Sequence, residues 1–234
     1  MSATMIITGA SSGIGRAVAQ RLAQWEGSLV LSGRSHRRLA ETRASVAAQG
    51  ARATTFACDL TAPDQVHELV AFAETQGPLR AVVLSAGTGQ GAPVGEQPID
   101  RWRKIVEDNL LGHYHLTRAA LAPMAQRKQG HFVFVNSVAG LRAFPGSSAY
   151  VAAKHGLRGF ADTLRQEARA YGVKVTSLFP GATDTEWWDK QEGEFRRDLM
   201  LKPEQVADAV EFVLSLGGEG VVEELVMRHL SGDF

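Results

Sequence analysis

The sequence predicts a doubly wound α/β fold of the Rossmann type, a seven-stranded parallel sheet with helices on both faces, in a single domain over residues 1–234. Three observations lead there. Short runs rich in apolar and β-branched residues recur along the whole chain, and amphipathic stretches with helical spacing separate them. The runs are largely apolar rather than alternating, as strands covered on both faces are. With 234 residues, 44% of them hydrophobic, one core can be filled without a second domain.

The expected strands are "MIIT" (5–8), "SLVLS" (28–32), "ATTFA" (53–57), "RAVVLS" (80–85), "HFVFVN" (131–136), "VKVTSLF" (173–179) and "VVEELVM" (221–227). Between the first two, Ile14, Val18, Leu22 and Trp25 recur at helical spacing, and Gly27 is placed to end that helix. In "TAPDQVHELV", Thr61 and Asp64 have the spacing of a capping box at the start of another helix. Long helices are expected over 99–127 and 147–171, and a shorter one runs from Pro203 to just before Gly217 and Gly218. No repeat, low-complexity segment or linker interrupts the pattern.

Twenty-five Lys and Arg balance twenty-five Asp and Glu, so the chain lacks the charge footprint of a nucleic-acid or anionic-membrane binder. The N-terminus has no signal-peptide pattern and no segment reaches the run of about 20 apolar residues that spans a bilayer, so a soluble, cytoplasmic protein is expected. The single cysteine, Cys58, reads as a small buried apolar residue. The seven histidines show no metal-ligand spacing; His113 and His115, two apart, diverge on a helix, and no metal is expected.

"TGASSGIG" at 8–15 lies directly after the first strand and before the first helix, the context of a dinucleotide-binding turn. Gly9 and Gly13 permit close backbone approach, Gly15 permits tight helix packing, and the helix N-terminus offers unpaired N–H groups to a pyrophosphate. The wide glycine spacing, T-G-x-x-x-G-x-G, resembles the short-chain dehydrogenase/reductase family, and the resemblance runs in order through nearly the whole chain. It implies cofactor contacts from Gly9, Ser11, Ser12, Gly13, Ile14 and Gly15 in the turn. After the third strand it implies Asp59, to the adenine amino group, and Leu60. "SAG" (Ser85, Ala86, Gly87) stands where the family usually has Asn-Ala-Gly, and the shorter Ser85 puts one strand-to-strand hydrogen bond in doubt. "PGATDT" resembles the family's stretch around the nicotinamide and implies Pro180, Gly181, Thr183 and Thr185.

"SAYVAAKHG" places Tyr150 and Lys154 four apart, on one helix face. The resemblance implies that these two, with Ser137 and Asn109, are the catalytic residues; Ser137 precedes Tyr150 by the family's usual thirteen positions (150 − 137 = 13). Tyr150 is then the proton donor or acceptor, and Lys154 lowers its pKa and holds the nicotinamide ribose. Ser137 orients the substrate oxygen, and Asn109 holds a water that links Lys154 to solvent.

The end of the second strand, "SGRSHRRL", has Gly33 where an NAD enzyme carries a carboxylate, followed by Arg34, with Arg37 and Arg38 adding positive potential. Preference for NADP(H) over NAD(H) is expected. A substrate lid at about 183–202 contains Trp187 and Trp188 as an apolar wall, Trp187 being the expected substrate contact, with Arg196 or Arg197 placed to meet a substrate carboxylate.

The expected activity is interconversion of a ketone or aldehyde with an alcohol by a homo-oligomer, a tetramer or else a dimer. Two alternatives are weighed. One is a 3-oxoacyl-thioester reductase whose Arg101, Arg103 and Lys104 meet an acidic carrier protein. The other is a dinucleotide-sensing regulator, which the presence of both Tyr150 and Lys154 disfavours.

Overall fold

The computed structural model describes residues 2–191 and 193–232. Its seven strands, β1 (Thr4–Ile7), β2 (Ser28–Gly33), β3 (Arg52–Ala57), β4 (Leu79–Leu84), β5 (Gly130–Val135), β6 (Val173–Pro180) and β7 (Glu224–Met227), form one sheet in the order β3-β2-β1-β4-β5-β6-β7. All pairings are parallel. The chain runs outward from β1 to β3, then returns to pair β4 on the other side of β1. That reversal opens a crevice at the carboxyl ends of the strands, where open α/β sheets bind ligands.

Helices α1 (Gly13–Arg21), α2 (His36–Ala47) and α7 (Pro203–Ser215) cover one face, burying Val18, Leu39, Val46, Val206 and Val210. Helices α3 (Pro63–Gln76), α5 (Gly112–Gln126) and α6 (Ser148–Arg169) cover the other, around Phe132, Phe134, Leu69, Leu116 and Leu157. β1, β2, β4, β5 and β6 each contribute buried residues to both cores, which is why their runs are apolar on both faces, whereas the edge strand β7 packs only Leu225 and Met227 against the first core.

Four local expectations are corrected. The last expected strand is shorter than 221–227: it pairs only from Glu224 to Met227. Trp25 lies beyond α1, after a 3₁₀ turn at Leu22–Gln24. Its ring lies over Gly27, where a Cβ would stand 2.1 Å from the indole, so Gly27 makes room for the ring rather than capping the helix. The Thr61–Asp64 capping box does not form. The N-cap of α3 is Ala62 with Pro63 following, and Thr61 instead donates from backbone and hydroxyl to Asp59 Oδ1, at 2.9 and 2.8 Å.

The fourth correction concerns the long helix over 99–127. It is divided into α4 (Ile99–Val106), a π turn (Glu107–Leu111) and α5. Asn109 sits in that π turn, fully buried, so the interruption coincides with an expected site residue.

Cys58 is buried, and burial first, then Asp59 and Glu68, push its thiol up to about 12, which makes it an inert packing residue. Among the described residues no helix is long and apolar enough to cross a membrane. Among the same residues no group of three His, Cys, Asp or Glu side chains is placed to hold a metal.

Candidate active site

Every residue that the resemblance assigns to cofactor, catalysis or substrate lines one cleft of ≈ 940 Å³ at the carboxyl ends of the strands. The glycine-rich turn forms its floor. Gly9 has φ +64° and Gly13 φ +50°, the left-handed region that favours glycine. A Cβ on Gly15 would come 2.4 Å from the Gly9 carbonyl oxygen, so α1 can begin this close to the turn only with glycine there. Ser12, the N-cap of α1, makes no side-chain capping bond and the first turn holds no acid. The N–H groups and dipole of α1 therefore face the cleft ready for an anion.

The doubt raised by Ser85 is resolved by Thr8. Its buried hydroxyl accepts from the backbone N–H of Ser85 (3.0 Å) and of Ala86 (3.1 Å) and donates to the Val83 carbonyl (3.2 Å). The end of β1 is thus tied to the end of β4 without a longer side chain at position 85. The threonine of the T-G pair carried this signal in the sequence, and its role there was missed.

Ser137, at the end of β5, caps a short 3₁₀ turn. Its Oγ accepts from the Ala139 N–H at 3.1 Å, which leaves the hydroxyl proton to donate elsewhere. It is hydrogen-bonded to Tyr150 in the first turn of α6. One turn on, the Lys154 Nζ lies 5.5 Å from the Tyr150 ring centroid and donates to the Val135 carbonyl at 3.3 Å. Burial pulls the Lys154 pKa down to about 8.

The electrostatics differ from expectation at Tyr150. Burial raises the phenol pKa, and the opposing influence is the Ser137 hydrogen bond rather than the charge of Lys154. The ammonium bonds a main-chain carbonyl and is itself partly desolvated, so in this arrangement the phenol stays protonated at neutral pH.

Asn109 donates from Nδ2 to the carbonyls of Thr88 (2.5 Å) and Ile105 (2.8 Å), pinning the segment after β4 against the π turn. Its Oδ1 is buried with no protein partner, and a Cβ on Gly87 would approach it to 2.8 Å and Lys154 Nζ to 3.9 Å. His113, also fully buried, donates from Nδ1 to the Asn109 carbonyl at 2.9 Å. Burial first, then the charge of Lys154, hold it neutral with a pKa of about 3.

At the end of β2, Arg34 and Arg38 line the cleft; Arg34 stands 3.8 Å from Asp108. Arg37, expected to add potential there, pairs instead with Glu41 one turn along α2 on the exposed face. Asp59 also lines the cleft. Its burial works against ionisation, but the Thr61 hydrogen bonds, with Lys104 and Arg34, bring its pKa below the usual carboxylate value.

Over the cleft lies the segment after β6. Trp187 and Trp188 meet edge to face at 4.7 Å, Phe195 packs on Trp188 at 4.6 Å, and the Trp188 indole donates to the Thr183 carbonyl at 2.9 Å. A Cβ on Gly89 would come 3.2 Å from the Tyr150 ring and 3.4 Å from Trp187, so both rings crowd the same point beside this glycine. The lid arginines do not stand ready for a substrate carboxylate. Arg197 bonds Asp184 (2.6 Å), Asp189 and the Thr185 carbonyl, and Arg196 bonds Asp198 through two nitrogens. Residues not anticipated on the walls include Phe144, Phe195, Gln90, Gln191 and Glu186.

This fold and this constellation define a dinucleotide-binding oxidoreductase class. The family model described as short chain dehydrogenase matches residues 3–194, and the chain belongs to that family. It is 34% identical to the sepiapterin reductase of Chlorobaculum tepidum, across 100% of this chain and 98% of that protein. Two solved structures are also similar. The alcohol dehydrogenase of Thermococcus sibiricus complexed with 5-hydroxy-NADP has a TM-score of 0.89 and 30% identity, covering 97% of this chain and 96% of that one. An actinorhodin polyketide ketoreductase with NADPH has a TM-score of 0.90 and 26% identity, covering 100% and 98%.

Proposed function

We propose that this protein is an NADP(H)-dependent oxidoreductase that interconverts a ketone or aldehyde with its alcohol. The observation that carries the reading is the convergence of the Ser137 hydroxyl, the Tyr150 phenol and the Lys154 ammonium in one cleft, beside a glycine-rich turn and an uncapped helix N-terminus. The turn, the Asp59 carboxylate and the orphaned Asn109 Oδ1 above Gly87 fit a dinucleotide, whose nicotinamide supplies or takes up the hydride when bound.

Tyr150, protonated at neutral pH, hands its proton to the developing alkoxide in the reductive direction. Ser137, whose Oγ accepts from the Ala139 N–H, turns its hydroxyl proton from Tyr150 to that oxygen and stabilises its charge. Lys154 would hold the ribose hydroxyls of the bound dinucleotide, and its charge would favour the phenolate once the proton has left. Asn109 keeps the floor of the site in place through Thr88, and its Oδ1 offers a buried acceptor for a relay water. Trp187 excludes water over Tyr150.

The aromatic wall of Phe144, Trp187, Trp188 and Phe195 favours a carbonyl borne next to a planar or apolar group, in keeping with the resemblance to sepiapterin reductase. The carrier-protein reading is weaker: Arg103 pairs with Asp100 and Lys104 with Asp108, which neutralises two of the three cations it needs.

Preference for NADP(H) is supported by the missing acid at Gly33 and by Arg34 and Arg38 on the cleft wall. A Cβ at position 33 would lie 3.3 Å from Ser11 Oγ, a contact that a small shift of the hydroxyl relieves. Gly33→Asp combined with Arg34→Ala should therefore fold and move the NADPH/NADH affinity ratio by roughly ten- to a hundredfold toward NADH. Titration of both nucleotides checks this, and a wild-type protein that binds NADH at least as tightly as NADPH contradicts it.

A homo-oligomer, with the tetramer first, is also proposed. Trp102 on α4, Leu111 in the π turn and Tyr114 on α5 leave large apolar side chains exposed. Light scattering should give four subunits, and a monomer contradicts the reading.

A further inference from the structure

The lid carries an acid whose partners lie at the opposite end of the cleft from the Tyr150 site. Glu186 Oε1 stands 3.1 Å from Arg16 Nη1, on α1, and Oε2 stands 3.1 Å from Arg38 Nη1, on α2. Arg16 in turn donates from Nη2 to the Ser11 carbonyl in the glycine-rich turn at 2.7 Å. One residue earlier, the Thr185 methyl lies 3.1 Å from where a Cβ on Gly13 would stand. The segment 185–186 therefore crosses the glycine-rich turn as a strap. The next residues, Trp187 and Trp188, wall the carbonyl end.

We propose that Glu186 is a specificity-determining residue: a built-in anion that competes for Arg38 with the adenosine 2′-phosphate. This rests on the NADP(H) reading above. Arg34 and Arg38 form the cationic wall at the end of β2, and each faces an acid across the cleft. The two acids are not equivalent. Asp108 already has a close partner in Lys104 at 2.6 Å and stands 3.8 Å from Arg34. Among the described residues, Glu186 pairs with Arg16 and Arg38, each at 3.1 Å.

A phosphate on Arg38 would meet the Glu186 carboxylate as a like charge, and the two cannot share one guanidinium edge without cost. Glu186 then keeps Arg16 and releases Arg38, so the strap stays over the glycine-rich turn while the arginine turns to the phosphate. An NAD-type cofactor does not contest Arg38 and leaves both pairs in place. The side chains are 30% (Arg16), 44% (Glu186) and 36% (Arg38) exposed, so the effect is a screened one that added salt weakens.

The test is calorimetric and needs no turnover. Wild type, Glu186→Gln, Arg38→Ala and the double variant are titrated with NADPH, NADH and the fragments 2′,5′-ADP and 5′-AMP, with circular dichroism as a check of folding. Glu186→Gln should bind NADPH and 2′,5′-ADP about three- to tenfold more tightly, with NADH and 5′-AMP changed by less than about twofold, the gain shrinking as salt is added. In the Arg38→Ala background the same substitution should give no gain, because the contested group is gone. Unchanged or weaker NADPH binding in Glu186→Gln, or an equal change for both nucleotides, overturns the proposal and leaves Glu186 as lid packing. If the wild type binds 2′,5′-ADP no better than 5′-AMP, the cofactor reading itself fails, a result distinct from a preference that Glu186→Gln leaves untouched.

Discussion

Tyr150→Phe should reduce turnover by roughly a hundredfold to ten-thousandfold, the usual contribution of a positioned general acid, while leaving dinucleotide affinity within about twofold. The substitution removes only the phenol oxygen. The ring remains beside Trp187 and Gly89, and the Ser137 Oγ keeps its bond from the Ala139 N–H. Because the loss falls on a proton transfer made only in the transition state, kcat should drop and the KM of the carbonyl should change little. Steady-state kinetics with parallel NADPH titration check this, and near-native turnover in a clean preparation ends the proposed chemistry.

Lys154→Met has opposite effects on stability and on function. Activity and cofactor affinity should both fall, since the ammonium serves the ribose and the phenolate together. Stability at neutral pH should rise. Burial holds the folded-state pKa of Lys154 at about 8 against an ordinary 10.5, so keeping it charged at pH 7 costs on the order of 3 kcal/mol. The lost bond to the Val135 carbonyl returns about 1 kcal/mol of that, leaving a net gain of about 1–3 kcal/mol.

The sign follows from proton counting. Below about pH 8 both the folded and the unfolded chain hold the proton, and the penalty is fully present. Between about 8 and 10.5 only the unfolded chain holds it, so wild-type stability climbs relative to the variant and the difference closes. Urea melts at pH 7 and pH 10 should show the variant's advantage shrinking. A variant less stable than wild type at pH 7, or unchanged in NADPH affinity, contradicts the account.

The sheet and its helices were legible because the central strands, buried on both faces, are apolar throughout, and seven β-type runs stood out from helical spacing. The catalytic set was legible because Tyr150 and Lys154 share a helix face and Ser137 stands at a strand end. Departures came where a polar side chain has several possible partners, among which spacing alone does not decide. Thr61 bonds Asp59 rather than its own helix, and Arg197 is drawn to Asp184 and Asp189. The π turn around Asn109 inserts one residue into a helical ladder whose apolar pattern runs on across it, so nothing in the spacing marks it. Glu186 was not legible because its partners, Arg16 and Arg38, lie 170 and 148 positions away. The phenol's environment was read from the nearest cation, whereas the structure makes burial the dominant influence.

The most direct test of the central claim is a turnover screen. Wild-type protein is incubated with NADPH and a panel of ketones, aldehydes and β-keto esters weighted toward carbonyls on planar rings, following nucleotide oxidation and alcohol formation together. At least one carbonyl should be reduced with one alcohol formed per NADPH consumed, and Tyr150→Phe should abolish that consumption. Tight NADPH binding with no consumption on any member of the panel would contradict the account and favour a dinucleotide-sensing protein.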